Sequence, residues 1–328
     1  MLWVVLDSRQ WVLSGALCER IRQLSRKLFS ERGPETVGLA NDFAVEPSAL
    51  GERERVRQLS EDSLSRYRGV LGDDHSDTLV AAHGLAVDLR ASGEHEQARA
   101  LDEDTLSRRR RVLGEDHPDT LASAHNLAVD LGALGNYRWA RILSEDTLAC
   151  YRRVLGADHP DTLRSAHNLA NDLRALGAHE SACQLSEDTV SRRRRVLGED
   201  HPDTLRSASN FALDLRALGQ HQRARVLDED TWARYRRMLG DDHLDTLTSA
   251  NNVAVDLRAL GEHEQARALD EDTVARYRRV LGDDHSHTLA SADNLVVDLR
   301  ALGEHEKACD LQEWIRSQRA TRRITGAG

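Results

Sequence analysis

Apolar residues recur along this chain at a helical spacing, and the whole pattern returns every 42 residues. In the copy that follows Thr120, one stripe consists of Leu121, Ala124, Leu127, Ala128 and Leu131. Residues three and four apart share one face of an α-helix, so this stripe predicts an amphipathic helix, which we call helix A. Gly135 follows the stripe and is expected to end the helix, because glycine readily adopts the left-handed conformation that terminates helices.

A second helix, helix B, is predicted to begin near Asn136. Its apolar side is expected to contain Tyr137, Ala140, Leu143, Leu148, Tyr151, Val154 and Leu155. A helix pair of this length cannot bury its own apolar surface, but stacked copies can. The pattern therefore predicts an all-α solenoid of antiparallel helix pairs.

Successive copies are joined by the segment LG-x-D-H, which occurs at Leu71, Leu113, Leu155, Leu197, Leu239 and Leu281. In the copy His117-Pro118-Asp119-Thr120 the chain enters the next helix A. Proline restricts the residue before it, and Asp119 or Thr120 is expected to cap the free N–H groups of the helix.

The full pattern, LG-x-DHP-x-T-L…N-L-A…L…LG-x-x-x-x-A-x-x-L…L…Y/R-x-x-V-L-G, resembles the tetratricopeptide repeat. It is similar to the 42-residue form found in kinesin light chains and in many bacterial regulatory proteins. The resemblance covers roughly residues 30–320 and implies a right-handed superhelix whose A helices line a concave groove. The middle of helix B departs from the family, because the usual bulky residue is replaced by Asp102, Ser144, Ser186, Asp228 or Asp270. We expect less apolar packing there.

The ends of the array differ from its middle. Residues 1–35 are predicted to form an N-terminal helical piece or cap, and residues 36–71 a degenerate repeat in which Pro47 ends helix A early. Residues 72–303 form the regular 42-residue units. Residues 304–328 are expected to supply the last helix B, a polar C-terminal cap and a frayed tail.

The resemblance implies that carboxamides just before the Leu-Ala pair of helix A bind the backbone of a peptide. These residues, the Asn ladder, are Asn126, Asn168, Asn210, Asn252 and Asn294. In the alternative interpretation each Asn only ties helix A to its neighbour. Neighbouring helices lie about 8–10 Å apart and an extended peptide advances about 3.3 Å per residue, so each rung would meet every third residue.

Residues beside the Asn ladder vary between copies and are the candidates for selectivity. Arg164 and Arg206, one turn earlier, predict a basic spot that favours an acidic side chain or a carboxylate. His125 and His167 directly precede the ladder, and Asn171 follows it by one turn. For the two arginines, a solvated surface is an equally acceptable interpretation.

Composition narrows the class of function. A formal net charge of −10 argues against a nucleic-acid binder. Four cysteines lie far apart without CxxC spacing, which favours reduced thiols in the cytoplasm. The first residues, MLWVVLDSRQW, carry no basic segment before a short apolar run that Asp7 interrupts, so neither a signal peptide nor a membrane contact is expected.

Several motifs suggest chemistry but are better explained without it. Loop histidines such as His117 and His159 lie one repeat apart, too far to share a metal ion, and HEQAR at His95 and His263 lacks the second histidine of a zinc peptidase. The RRRR runs at 108–111 and 192–195 are expected to form a solvated surface. Carboxylates recur in every unit, whereas catalysis needs a group of residues that occurs at one place in the fold. We predict no metal, no cofactor and no enzymatic activity.

The sequence thus predicts a non-enzymatic protein–protein interaction scaffold that binds a peptide or partner helix in the concave groove. The partner is expected to be a protein or peptide, with acidic groups if the basic spot is used. The alternative is a sensor or oligomerisation arm of a signalling NTPase, or a regulatory subunit of an enzyme encoded separately. Nearly identical repeats can dock on one another, so the sequence is also compatible with a homodimer.

Overall fold

The computed structural model describes the backbone of residues 50–325 and the side chains of residues 56–320. Within that range the chain forms thirteen α-helices and no strand, which confirms the predicted all-α class. They are α1 (Leu50–Leu71), α2 (Ser76–Ala91), α3 (His95–Leu113), α4 (Pro118–Ala133), α5 (Tyr137–Val154), α6 (Pro160–Ala175), α7 (His179–Leu197), α8 (Pro202–Ala217), α9 (His221–Leu239), α10 (Leu244–Ala259), α11 (His263–Leu281), α12 (Ser286–Ala301) and α13 (His305–Thr325). Even-numbered helices are A helices and odd-numbered helices are B helices.

Several expectations for the chain ends lie outside the described residues. These are the N-terminal helical piece, the degenerate helix A with Pro47, and the last three residues of the tail. The helix α1 is the B helix of the degenerate unit. No helix among residues 50–325 combines the length and apolarity that crossing a bilayer requires.

The chain divides into two compact units, one ending at Asp130 and the other beginning at Leu131. In the first unit, α2 packs against both α1 and α3. In the second unit, each helix from α5 to α12 packs against the next one in sequence. Packing between neighbouring helices is how repeat proteins bury the face that one helix pair leaves open.

Small residues let the two helices of each pair approach closely. Helix B places an alanine with 0 % exposure in its first turns, as Ala182, Ala224 and Ala266 show. The predicted stripe of helix A is also confirmed, since Leu121, Ala124, Leu127 and Ala128 are buried. The predicted apolar side of helix B is wrong at Tyr137 and Val154, which are exposed; Ser144 and Thr147 occupy the buried side instead.

A histidine, rather than Asp119 or Thr120, caps helix A. His117 Nδ1 accepts a hydrogen bond from the backbone N–H of Asp119 at 3.2 Å, and His159 and His201 cap α6 and α8 in the same way. The expectation for Asp119 was wrong because its own N–H is one of the groups that needs an acceptor. Expectations for the glycines are confirmed, since Gly135 has a φ of 76° after helix A.

The arginine runs of helix B divide between surface and interior. Arg108 pairs with Asp104 at 2.8 Å and with Asp74, 34 residues earlier, at 3.0 Å. Arg109 is only 4 % exposed, and its guanidinium donates to the carbonyl oxygen of Asp119 at 2.8 Å and to Ser123 Oγ at 3.0 Å. The predicted solvated surface is therefore wrong for Arg109.

The second run repeats this arrangement. Arg193 is 2 % exposed and donates to the carbonyl oxygen of Asp203 and to Ser207 Oγ. The physical reason lies in the helical phase, because this position is held by a buried tyrosine in other B helices, namely Tyr151, Tyr235 and Tyr277. An arginine in this place buries its stem and directs its guanidinium at acceptors of the following A helix.

Candidate functional site

One side of the A helices remains open to solvent in the second unit, and we call it the A-helix face. It consists of three rows with one residue per repeat. The first row is exposed, the second is the half-buried Asn ladder, and the third is half-buried or exposed. In order, the rows are Arg164, Arg206, Thr248 and Ala290; Asn168, Asn210, Asn252 and Asn294; and Asn171, Leu213, Val255 and Val297.

The side-chain amides of Asn126 and Asn210 contact the preceding A helix. Asn210 Nδ2 lies 3.0 Å from His167 Nε2 and donates to Asn171 Oδ1 at 3.2 Å. In the first unit, Asn126 Nδ2 lies 3.4 Å from both ring nitrogens of His83. These contacts give the ladder a structural role between A helices, while its half-buried position leaves part of each side chain at the surface.

The two histidines beside the ladder are held in the packing. Burial, aided by the charges of Arg193, Arg206 and Arg174, lowers the pKa of His167 to about 3. His167 is therefore neutral near pH 7, and its Nδ1 also lies 3.3 Å from Ser207 Oγ. In the first unit His125 is only 6 % exposed, so it offers little surface to a ligand.

Arg164 and Arg206 are the exposed charges of the A-helix face. Arg164 pairs with Asp161 at 2.8 Å, and Arg206 pairs with Asp203 at 2.5 Å. Burial, together with the charges of Arg206 and Arg164, lowers the pKa of the Arg193 guanidinium. Each exposed arginine thus pairs with an aspartate of its own helix, and Arg193 adds a third positive charge that is buried.

A group of residues that the sequence analysis missed lies at the repeat junctions. Arg258, near the end of one A helix, donates to Asp270 on the following B helix at 2.7 Å and to Asp298 on the next A helix at 2.6 Å. Both aspartates have 0 % exposure. The same triplet occurs as Arg216–Asp228–Asp256 in the second unit and as Arg90–Asp102–Asp130 in the first.

Two buried carboxyl groups share one arginine in each triplet, and their titration reflects this. Burial raises the pKa of Asp102 and of Asp228 to about 7, and that of Asp270 to about 8. The neighbouring aspartate raises the pKa further, whereas the arginine opposes the shift. When the two carboxyls hold one proton between them, one negative charge remains for one guanidinium and the triplet is neutral.

Where helix B carries serine, a hydroxyl replaces the second carboxyl. Ser186 Oγ donates to Asp214 at 2.6 Å while Arg174 donates to the other oxygen of Asp214 at 2.5 Å. Ser144 donates to Asp172 at 3.0 Å and Ser60 to Asp88 at 2.5 Å. The polar residue in mid-helix B therefore has a specific partner on the next A helix. The D-L-R motif that ends most A helices, repeated at 42-residue spacing, is the sequence signal that could have revealed it.

Among the described residues no three His, Cys, Asp or Glu side chains are grouped so as to hold a metal ion. The aspartates with raised pKa values belong to the junctions, which recur from repeat to repeat. These aspartates are therefore a repeated structural feature rather than a group of residues that occurs at a single place in the fold.

Family models of the tetratricopeptide repeat match residues 48–110, 77–153, 133–188, 161–237 and 246–287. These segments together span more than half of the chain, so the chain belongs to the tetratricopeptide repeat family. The repeats of this family are generally interaction scaffolds. No curated protein sequence matches the chain.

Solved structures support the same assignment. A putative kinesin light chain from Podosopora anserina with nearly identical TPR-like repeats is 31 % identical, with a TM-score of 0.58 over 63 % of this chain and 98 % of that chain. BtubC from P. vanneervenii is 15 % identical, with a TM-score of 0.56 over 83 % of this chain and 92 % of that chain. The quorum sensor NprR from B. thuringiensis is 14 % identical, with a TM-score of 0.55 over 93 % and 94 %. The last two show similarity of fold alone.

Proposed function

We propose that this protein is a non-enzymatic interaction scaffold that binds a peptide or a partner helix on its A-helix face, the wall of the predicted concave groove. The observation that carries the proposal is the uneven chemistry of that face. Two exposed arginines lie in its first row, whereas Leu213 and Val297, which are 39 % and 49 % exposed, lie in its third row. A face with exposed arginines and exposed aliphatic side chains offers a partner both charged and apolar contacts.

The geometry favours a partner that is acidic at one place and apolar at another. First-row and third-row residues of one A helix are seven residues apart, a separation of about 10 Å along the axis. We infer that an acidic side chain or a carboxylate of the partner pairs with Arg164 and Arg206. Apolar side chains of the partner then contact Leu213, Val255 and Val297.

The Asn ladder would serve both the protein and the ligand. Asn210 directs its N–H donors at α6, so its carbonyl oxygen is the group that we propose accepts a hydrogen bond from the partner backbone. Substitution of Asn168 and Asn210 by alanine is therefore expected to reduce both thermal stability and binding. Unchanged binding would assign the ladder to a structural role alone.

Arginine variants separate binding from stability more cleanly. We would compare wild type with Arg164→Ala/Arg206→Ala in a quantitative pull-down from native lysate, followed by mass spectrometry. The matched control is Arg195→Ala/Arg237→Ala, which removes two similarly exposed arginines from B helices. Partners that are lost only with the first variant, at an unchanged thermal midpoint, support the A-helix face. Equal recovery with all three proteins contradicts it.

The identity of such a partner also distinguishes the alternatives. A captured NTPase would favour the sensor or oligomerisation arm, and a captured metabolic enzyme would favour a regulatory subunit, since both use the same face. We further propose a cytoplasmic location, which is supported by free thiols at Cys150, Cys183 and Cys309.

A further inference from the structure

One repeat junction of the second unit departs from the other junctions of that unit at two positions. Gly132 stands where the other A helices carry Arg90, Arg174, Arg216, Arg258 and Arg300. Tyr137 stands where the other B helices begin with His95, His179, His221, His263 and His305. The junction formed by α5 and α6 with the end of α4 therefore keeps Asp172 and Ser144. At positions 132 and 137 this junction has neither the arginine nor the histidine that the other junctions of the second unit have.

The other junctions show what a guanidinium does at this place. Arg174 donates to the Asp214 carboxylate at 2.5 Å and to the backbone carbonyl oxygen of Asn210 at 3.2 Å. Arg216 likewise donates to Asp256, and lies 3.5 Å from the carbonyl oxygen of Asn252. On α6 the corresponding acceptors belong to Asp172 and Asn168. The Arg174 side chain is 21 % exposed, so this place is reachable from solvent.

Asp172 is more exposed than the equivalent aspartates that pair with an arginine. It is 7 % exposed, whereas Asp214, Asp256 and Asp298 have 0 % exposure under their arginines. Ser144 donates to Asp172 Oδ2 at 3.0 Å, and Asp172 Oδ1 faces Gly132, where an added Cβ would lie 3.2 Å away. Burial raises the pKa of Asp172 to about 6 against the Ser144 hydrogen bond, so the carboxyl is mostly ionised at neutral pH. A buried carboxylate is stabilised by a cation that donates hydrogen bonds to it.

We propose that Gly132, Ser144 and Asp172 form a binding site for a guanidinium group from outside the chain, namely an arginine side chain of a partner protein. A planar guanidinium donates to a carboxylate and a carbonyl at once, which a lysine ammonium matches less well. Tyr137 occupies the repeat position from which His263 Nδ1 lies 3.9 Å from Asp298, and we propose that its ring stacks on the bound guanidinium. This site extends the proposed function by adding a basic residue to the partner. Its test uses a small cation, so either proposal can fail without the other.

The direct test is a titration of the full chain with methylguanidinium chloride by isothermal calorimetry at pH 7.5 and constant ionic strength. We expect saturable binding of one cation per chain, with methylammonium at least about fivefold weaker. Asp172→Asn is expected to weaken binding about tenfold or more, since it removes the charge of the acceptor. Gly132→Arg should supply the guanidinium internally, abolish binding and raise the thermal midpoint.

Two further variants serve as controls. Gly132→Ala adds a methyl group without a guanidinium, so it should not reproduce the stabilisation by Gly132→Arg, and it remains informative if the arginine variant does not fold. Arg174→Gly recreates the Gly–Ser–Asp arrangement with Ser186 and Asp214, and we expect it to bind a second cation. Binding by Arg174→Gly but not by wild type would overturn the proposal. Binding that survives both Asp172→Asn and Gly132→Arg would overturn it as well.

Discussion

The junction at Asp270 and Asp298 predicts how stability changes with pH. Both carboxyls are fully buried, Arg258 is their shared cation, and burial raises the pKa of Asp270 to about 8. An aspartate in an unfolded chain has a pKa of about 3.9. The folded protein therefore holds about one more proton than the unfolded chain between about pH 4 and pH 8. Because the native state binds the extra proton, the free energy of unfolding falls as the pH rises through this window.

The magnitude follows from the size of that excess. One excess proton changes the free energy of unfolding by about 1.4 kcal/mol per pH unit. With a pKa of about 8 the excess at Asp270 is close to one proton between pH 6 and pH 7, so this site contributes a loss of about 1.3 kcal/mol over that unit. Asp270→Asn should abolish this contribution, because an amide keeps the shape of the neutral acid. The amide also accepts from Arg258 and donates to Asp298.

The assay is denaturant unfolding at pH 6.0 and pH 7.0, followed by circular dichroism, with hydrogen exchange in α11 and α12 as the local measure. Hydrogen exchange is needed because repeat arrays do not always unfold in a single step. Asp272→Asn is the matched control, since it removes an exposed carboxylate from the same helix. His263, whose Nδ1 lies 3.9 Å from Asp298, is present in every protein compared, so the comparison isolates Asp270. An Asp270→Asn variant with the same pH dependence as wild type would refute the shared proton.

Three further substitutions test the buried and capping groups by the same denaturant assay. Arg193→Ala should lower the free energy of unfolding by about 2–3 kcal/mol because buried acceptors lose their donor, whereas Arg193→Tyr, the residue of other repeats, should cost less. His201→Ala should cost about 1 kcal/mol through loss of the α8 cap, and His201→Asn should retain most of that stability. Gly240→Ala should cost about 1–3 kcal/mol, because the φ of Gly240 is 88°.

Each of these has a clear contrary result. Equal stability of Arg193→Ala and Arg193→Tyr would mean that the buried hydrogen bonds and packing at this position contribute little. A neutral His201→Ala would assign the capping geometry no energetic role. A Gly240→Ala variant as stable as wild type would show that the chain relaxes out of the left-handed region after α9.

Most of the helical architecture could be predicted from the sequence, because the apolar spacing of helix A encodes its buried face directly. Leu121 and Leu127 are buried as their spacing requires. Which residues of helix B are buried is harder to predict from the sequence. Its arginine run looks uniformly solvated, yet Arg109 is buried while Arg108, turned by about 100° around the helix, pairs with surface aspartates.

The junctions could not be predicted in the same way, because their partners lie far apart in the sequence. Arg258 and Asp298 are separated by 40 residues, and each alone resembles an ordinary surface charge on helix A. Only the docking of one repeat on the next brings them together and buries them. Whether Asn168 and Asn210 contact a ligand stays a prediction, since half-buried amides fit both roles.

The junction triplet also governs how such a chain can lengthen. The two variable residues, arginine or glycine and aspartate or serine, belong to the earlier repeat, while the later repeat contributes an aspartate at each junction from Asp130 to Asp298. A duplicated or deleted block of 42 residues therefore brings its own variable pair to an invariant acceptor. Whole blocks can be added or removed in this region during evolution while every junction keeps its aspartate acceptor.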